Sequence, residues 1–178
     1  MVPIFVWWIG EEEVARDLVD HVSRHLAQAF DRPVLPWHAP ERPRHAFDPR
    51  RRQHASGAIL RWLGETGPRG GKILGVTDRD LFIPILTYVF GEAQLGGTAA
   101  VVSTARLVED VELFGRQLLV ERLAKEAVHE VGHAFGLVHC GTVECVMSRS
   151  PAVREVDEKS PQPCEECRAR LRELNGGT

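Results

Sequence analysis

The chain has 178 residues, 43% of them hydrophobic and 26% charged, with a formal net charge of -3. That length suits one compact domain that buries a core without covalent staples. A pI near 6.2 argues against a nucleic-acid binder, and no apolar run is long enough to span a bilayer as a helix.

Val2 to Ile9 is apolar and rich in β-formers, like a strand buried on both faces. No basic segment precedes it and Glu11, Glu12 and Glu13 follow, so it reads as a first strand rather than a secretory leader. A cytoplasmic protein with no membrane partner is therefore expected. The glutamates open a helix at its positive end, and Val14, Leu18, Val22, Leu26 and Phe30 give it one apolar stripe. Asp17, His21 and His25 fall on its flank and read as a solvated face. Pro33 ends the helix. Residues 33–38, with two prolines, suggest a short edge strand, and 39–49 a loop. The pattern predicts a second helix over about 50–65, with Arg50, Arg51 and Arg52 as its solvated start. Lys72 to Thr77 is a third strand, with Asp78 and Asp80 capping the turn after it. Two further β segments lie in 86–104, around Gly91 and after Gly96-Gly97. Tyr88, the only tyrosine, reads as core. A long helix runs from about Glu112 to Leu137. The remaining tail shows little periodicity until a short charged helix at Glu165–Leu174. The order β-α-β-α-β-β-β-α says α/β with a mixed sheet in a single domain, 1–178, divided into an α/β part to about 137 and a cysteine-bearing part from 138.

The chemistry concentrates in residues 129–147. His129 and His133 sit four apart on a predicted helix, so both imidazoles leave one face. Glu130, beside a ligand, is placed to act as general base toward a metal-held water. Gly136 can take positive φ and end the helix, which lets His139 return as a third nitrogen ligand. Three neutral nitrogens leave one zinc position open, which marks a catalytic rather than a structural site. Cys140, Cys145, Cys164 and Cys167 are all the cysteines present. Their short spacings fit a closed tetrahedral zinc site of four thiolates, with a pair of disulfides as the alternative. Such a site would tie down a tail too poor in apolar residues to hold itself.

The pattern His129-Glu130-x-x-His133-x-x-Gly136-x-x-His139, with Met147 eight residues on, resembles the extended zinc motif of the metzincin metalloproteases. Cys140 directly after the third histidine, then Cys145-x-Met147 and Cys164-x-x-Cys167, narrow the resemblance to the archaemetzincins. Phe47-Asp48-Pro49-Arg50 with Gln53, Gly75-Val76-Thr77-x-x-Asp80, Phe90-Gly91-Glu92-Ala93 and Ser103-x-x-Arg106-Leu107 resemble that family's shared segments. Ser148-Arg149-Ser150 departs from it, since asparagine is expected after the methionine. The resemblance implies a metzincin-like zincin fold and two zincs per chain, one catalytic on the histidines and one structural on the cysteines. It implies a methionine floor at Met147. It also implies a peptide or protein substrate added as a strand to the sheet edge at about Gly96, Gly97, Thr98 and Ala99. A monomer is expected. A non-catalytic zinc module that binds peptides is the competing reading, and it leaves the base at Glu130 without a purpose.

Overall fold

The computed structural model describes residues 1–10, 16–38 and 41–176. The expected helix opening at Glu11–Glu13, with Val14, lies outside the described residues. The first apolar run forms β1 (Ile4–Trp8), and the stripe of Leu18, Val22, Leu26 and Phe30 buries one side of α1 (Arg16–Phe30). β2 (Val34–Pro36) takes the edge place its prolines require. β5 (Lys72–Thr77) and β8 (Ala99–Ser103) continue the sheet, and β7 (Gly91–Ala93) closes it in the order β2-β1-β5-β8-β7. All neighbours are parallel except β7, which runs antiparallel to β8. The sheet is mixed, as expected.

Residues 47–66 depart from the expectation. Arg50, Arg51 and Arg52 do not start a helix. They form the turn of a hairpin between β3 (Phe47–Asp48) and β4 (Gln53–Ala55), and the helix α2 begins only at Ser56 and runs to Thr66. The reason is local. Asp48 Oδ1 accepts hydrogen bonds from the backbone N–H of Arg50 and Arg51, at 2.8 and 3.2 Å, and Arg52 takes a positive φ of 56°. An aspartate bonding its own backbone makes a turn in place of a helix. The short strand β6 (Leu81–Phe82) pairs parallel with β4 and completes a second, three-stranded sheet.

The long helix is broken once. α3 (Val111–Phe114) stops at Gly115, whose φ is 86°, and α4 (Arg116–Ala134) starts afresh. Leu123, Ala127, Val128 and Val131 of α4 are fully buried against the sheet and α1. Each large aliphatic side chain buried this way contributes roughly 1.5–3 kcal/mol relative to exposure. The tail holds one helix that periodicity did not reveal, α5 (Val153–Glu158), and the expected one, α6 (Glu165–Leu174). Val146, Met147, Val153, Val156 and Leu171 join the main core. Two ion pairs fasten the tail to α4. Arg122 meets Asp157 at 2.7 Å, and the wholly buried Lys159 meets Glu126 at 3.1 Å.

The expected substrate edge is corrected here. Ala99 begins β8, which is paired on both sides, and residues 99–103 are buried. Gly96, Gly97 and Thr98 belong to the connection between β7 and β8, where the Gly96 N–H donates to the His133 carbonyl at 2.9 Å. The edge strand of the main sheet on this side is β7.

Candidate zinc site

α4 presents His129 and His133 one turn apart, both toward the free edge of the sheet. Their rings are fixed from behind. The Nδ1–H of His129 donates to the Val146 carbonyl at 2.8 Å, and that of His133 to the Leu137 carbonyl at 2.7 Å. Both Nε2 atoms are therefore unprotonated, and they face each other at 3.0 Å. Two lone pairs so close call for a cation between them, and two nitrogens on one tetrahedral zinc lie about 3.3 Å apart. Gly136, at φ 100°, turns the chain after α4. His139 returns to place its ring centroid 4.8 Å from that of His133 and 5.4 Å from that of His129. One ligand nitrogen from each of the three lies within 4.8 Å of the others. Burial lowers the pKa of all three imidazoles, with the Lys159 ammonium acting next on His129. Neutral imidazole is the form a metal binds.

Glu130 follows His129 on α4 and is 6% exposed. Burial pushes its carboxyl well above the usual range, and the charge of Glu126 adds to the effect. It meets the edge strand where that strand has no side chain: a Cβ on Gly91 would lie 2.6 Å from Glu130 Cγ. Met147 is fully buried beneath the ligand-bearing turn, and a Cβ on Gly132 would lie 2.5 Å from its Sδ. The pattern of residues 129–147 did not single out Gly91 and Gly132, because the need for them arises across the fold. Buried Lys159 and Glu126 were also missed. Lys159 Nζ lies 3.4 Å from His129 Nδ1, thirty residues distant in sequence, and no local pattern joins them.

A cleft of about 740 Å³ opens over His129, Glu130 and His139. One wall is the segment 86–91 and the other is 149–151. Tyr88 is not core. It is half-buried in the first wall, its ring against Phe90 and under the Arg106 guanidinium. Arg106 in turn makes two hydrogen bonds to Asp80, which also accepts one from Gln53. The segments 53, 80 and 106, which resemble shared family segments, thus support the wall of the cleft. Asp17, expected on a solvated face, pairs with Arg116.

The four cysteines converge on one another. All are free, with Sγ–Sγ separations of 3.8 Å for Cys140–Cys164 and for Cys145–Cys167. A disulfide would need about 2.05 Å, whereas two sulfurs on one tetrahedral zinc lie about 3.8 Å apart. Backbone N–H groups of Thr142, Met147 and Cys164 point at the sulfurs of Cys140, Cys145 and Cys145 respectively, which favours thiolates. Burial, then the charge of Cys145, drives the Cys167 thiol far up, and a divalent cation removes that repulsion. Both donor sets fit zinc by separation and chemistry.

Comparison with known proteins agrees. A family model described as Peptidase family M54 matches residues 68–173. The archaemetzincin of Methanopyrus kandleri is 38% identical over 159 residues, covering 89% of this chain and 88% of the relative. The crystal structure of the Methanopyrus kandleri protein superposes with a TM-score of 0.84 at 34% identity, covering 98% of this chain and 96% of that one. The Archaeoglobus fulgidus archaemetzincin, solved as a complex with malonate, gives a TM-score of 0.81 at 35% identity, covering 95% and 99%. Fold and site together define a zinc metallopeptidase with a metzincin-like α/β fold, whose substrate is a peptide or protein. The chain belongs to peptidase family M54, the archaemetzincins. Among the described residues, no helix is long and apolar enough to cross a membrane.

Proposed function

We propose that the protein hydrolyses peptide bonds with Glu130 as general base, at a catalytic zinc held by His129, His133 and His139. The observation that carries this reading is the convergence of three neutral imidazoles within 4.8 Å, with a carboxylate from the same helix beside them on the floor of a cleft. Zinc bound there supplies Lewis-acid chemistry, acidifying water and polarising the scissile carbonyl. The Glu130 carboxylate takes a proton from the attacking water and returns it to the leaving amine. Its burial against Gly91 keeps bulk water from competing for that proton. β7 is the edge strand of the main sheet on the side of Glu130, where an extended substrate can lie as an added strand.

A second, structural zinc on Cys140, Cys145, Cys164 and Cys167 would hold residues 138–178 onto the α/β part of a single domain. Free thiols in a metal-ligating array fit a reducing compartment such as the cytoplasm.

The test is cleavage of a peptide library by zinc-loaded protein, read by mass spectrometry, beside Glu130→Gln. Zinc content is measured on both samples. Cleavage that disappears in a Glu130→Gln protein still holding two zincs per chain is the expected result. Cleavage that survives the substitution removes Glu130 from the mechanism, and one zinc per chain removes one of the two sites.

A further inference from the structure

The cleft carries a charge that peptide hydrolysis does not use. Among its lining residues Glu126 and Glu130 are buried, and Arg149 is the one exposed charge. Arg149 stands where the chain departs from the archaemetzincin pattern after the methionine. Among the described residues no carboxylate pairs with it, and its one hydrogen bond runs from Nε–H to His139 Nδ1 at 3.2 Å. That bond is incompatible with a metal-binding His139. If Nδ1 holds the metal, its lone pair is taken. If Nε2 does, Nδ1 carries the proton. Either way the guanidinium is released into the cleft. Beside it the Ser150 hydroxyl, also in the lining, is buried without a hydrogen-bond partner.

The same end of the cleft is narrow. Tyr88 on one wall reaches Pro151 on the other, hydroxyl to carbonyl, at 3.5 Å. Tyr88 lies three residues before Gly91, the point where the wall touches Glu130, which is at most roughly 10 Å of chain. About three substrate residues fit between the catalytic carboxylate and this crossing. The groove is therefore short on the side where an unpaired cation and an unpaired hydroxyl wait, and its wall there is otherwise apolar, with Leu86, Val89 and Phe90.

We propose that Arg149, with Ser150 beside it, receives a substrate carboxylate within about three residues of the scissile bond. The carboxylate is either a peptide's free C-terminus or an acidic side chain. A planar guanidinium pairs two-pronged with a carboxylate, and of the two carboxylates in the lining Glu126 is already paired with Lys159. This inference rests on the peptidase reading of the same cleft.

The test uses one apolar peptide series in four forms: free or amidated C-terminus, and Glu or Gln at each position near the cleavage site. Cleavage is measured with zinc-loaded wild type and Arg149→Ala. Binding is measured by calorimetry with zinc-loaded Glu130→Gln and with Glu130→Gln/Arg149→Ala, so that recognition is read without turnover. A charge-assisted pair is expected to favour the carboxylate form roughly 10–100-fold in both assays, and Arg149→Ala should bring the ratio toward one. Loss of preference on amidation identifies the C-terminus as the source, and loss on Glu-to-Gln exchange identifies a side chain. Binding that ignores the carboxylate, a preference that survives Arg149→Ala, or no binding of any form overturns the proposal. Carboxylate-selective binding by the Glu130→Gln protein without cleavage by wild type sustains it and overturns the peptidase mechanism instead.

Discussion

Gly132→Ala isolates the packing of the methionine under the ligand-bearing turn. Two effects oppose each other. In a helix interior, replacing glycine by alanine stabilises by about 0.8–1 kcal/mol. Here the new Cβ would lie 2.5 Å from Met147 Sδ and 3.1 Å from its Cε, against an ordinary contact near 3.5–4.0 Å. Met147 is fully buried, so its sulfur and methyl can yield the ångström required only by pressing on packed neighbours. Overpacking of this kind costs about 1–3 kcal/mol. The clash should win by about 1 kcal/mol, lowering the unfolding temperature by roughly 2–4 °C for a chain of this size. In a Met147→Val background the sulfur and its methyl are gone, and Gly132→Ala should stabilise instead. The assay is urea unfolding of the four zinc-loaded proteins in a double-mutant cycle, with the denaturant slopes compared. Equal stabilisation by Gly132→Ala in both backgrounds would refute the claim that Met147 fills the place of the missing side chain.

Other consequences follow from the same geometry. Gly91→Ala sets a Cβ 2.6 Å from both Glu130 Cγ and the Val101 carbonyl; it should cut kcat at least tenfold while zinc content is unchanged, and undiminished turnover would show that the wall does not position Glu130. Arg122 is buried and bonds Asp157 twice and the Leu107 carbonyl at 2.9 Å, so Arg122→Met should cost about 1–3 kcal/mol, chiefly by leaving the Leu107 carbonyl unpaired while the half-exposed Asp157 returns to water, read as a fall in the urea midpoint. Cys145→Ser should remove one zinc per chain and detach the tail, seen as proteolysis within residues 138–178; intact tail and full zinc would place the structural metal elsewhere. Burial holds the three histidines below their ordinary pKa of 6.5, so protons compete for them only under that pH. Zinc on the histidines should therefore persist as pH falls through 6.5 and be lost below it, and half-loss at or above 6.5 in dialysed samples would contradict their burial.

The two groups of candidate metal donors were legible because the information is local. Four residues make one helical turn, so His129 and His133 must share a face, and a glycine three residues later must be where the chain can reverse. Cys164-x-x-Cys167 is the same kind of statement at shorter range. β1, α1, the edge strand β2 and the mixed sheet were legible for a related reason, since apolar periodicity reports which face meets a core. The hairpin at 47–55 was missed because the side-chain bonds of Asp48 override a helical pattern.

Strand order belongs to the tertiary structure. β8 reads as a good exposed-edge candidate until it is seen paired on both sides, and which strand faces the histidines depends on contacts between segments far apart in the chain. The same holds for Lys159 under His129, for Gly132 against Met147 and for Arg149 across from Tyr88. Sequence by itself determined which side chains could come together to hold a metal, because covalent spacing and helical pitch suffice for that. Only the folded chain decided what surrounds those atoms, because the wall, the floor and the free charge of the cleft are set by packing between elements that are distant in the chain.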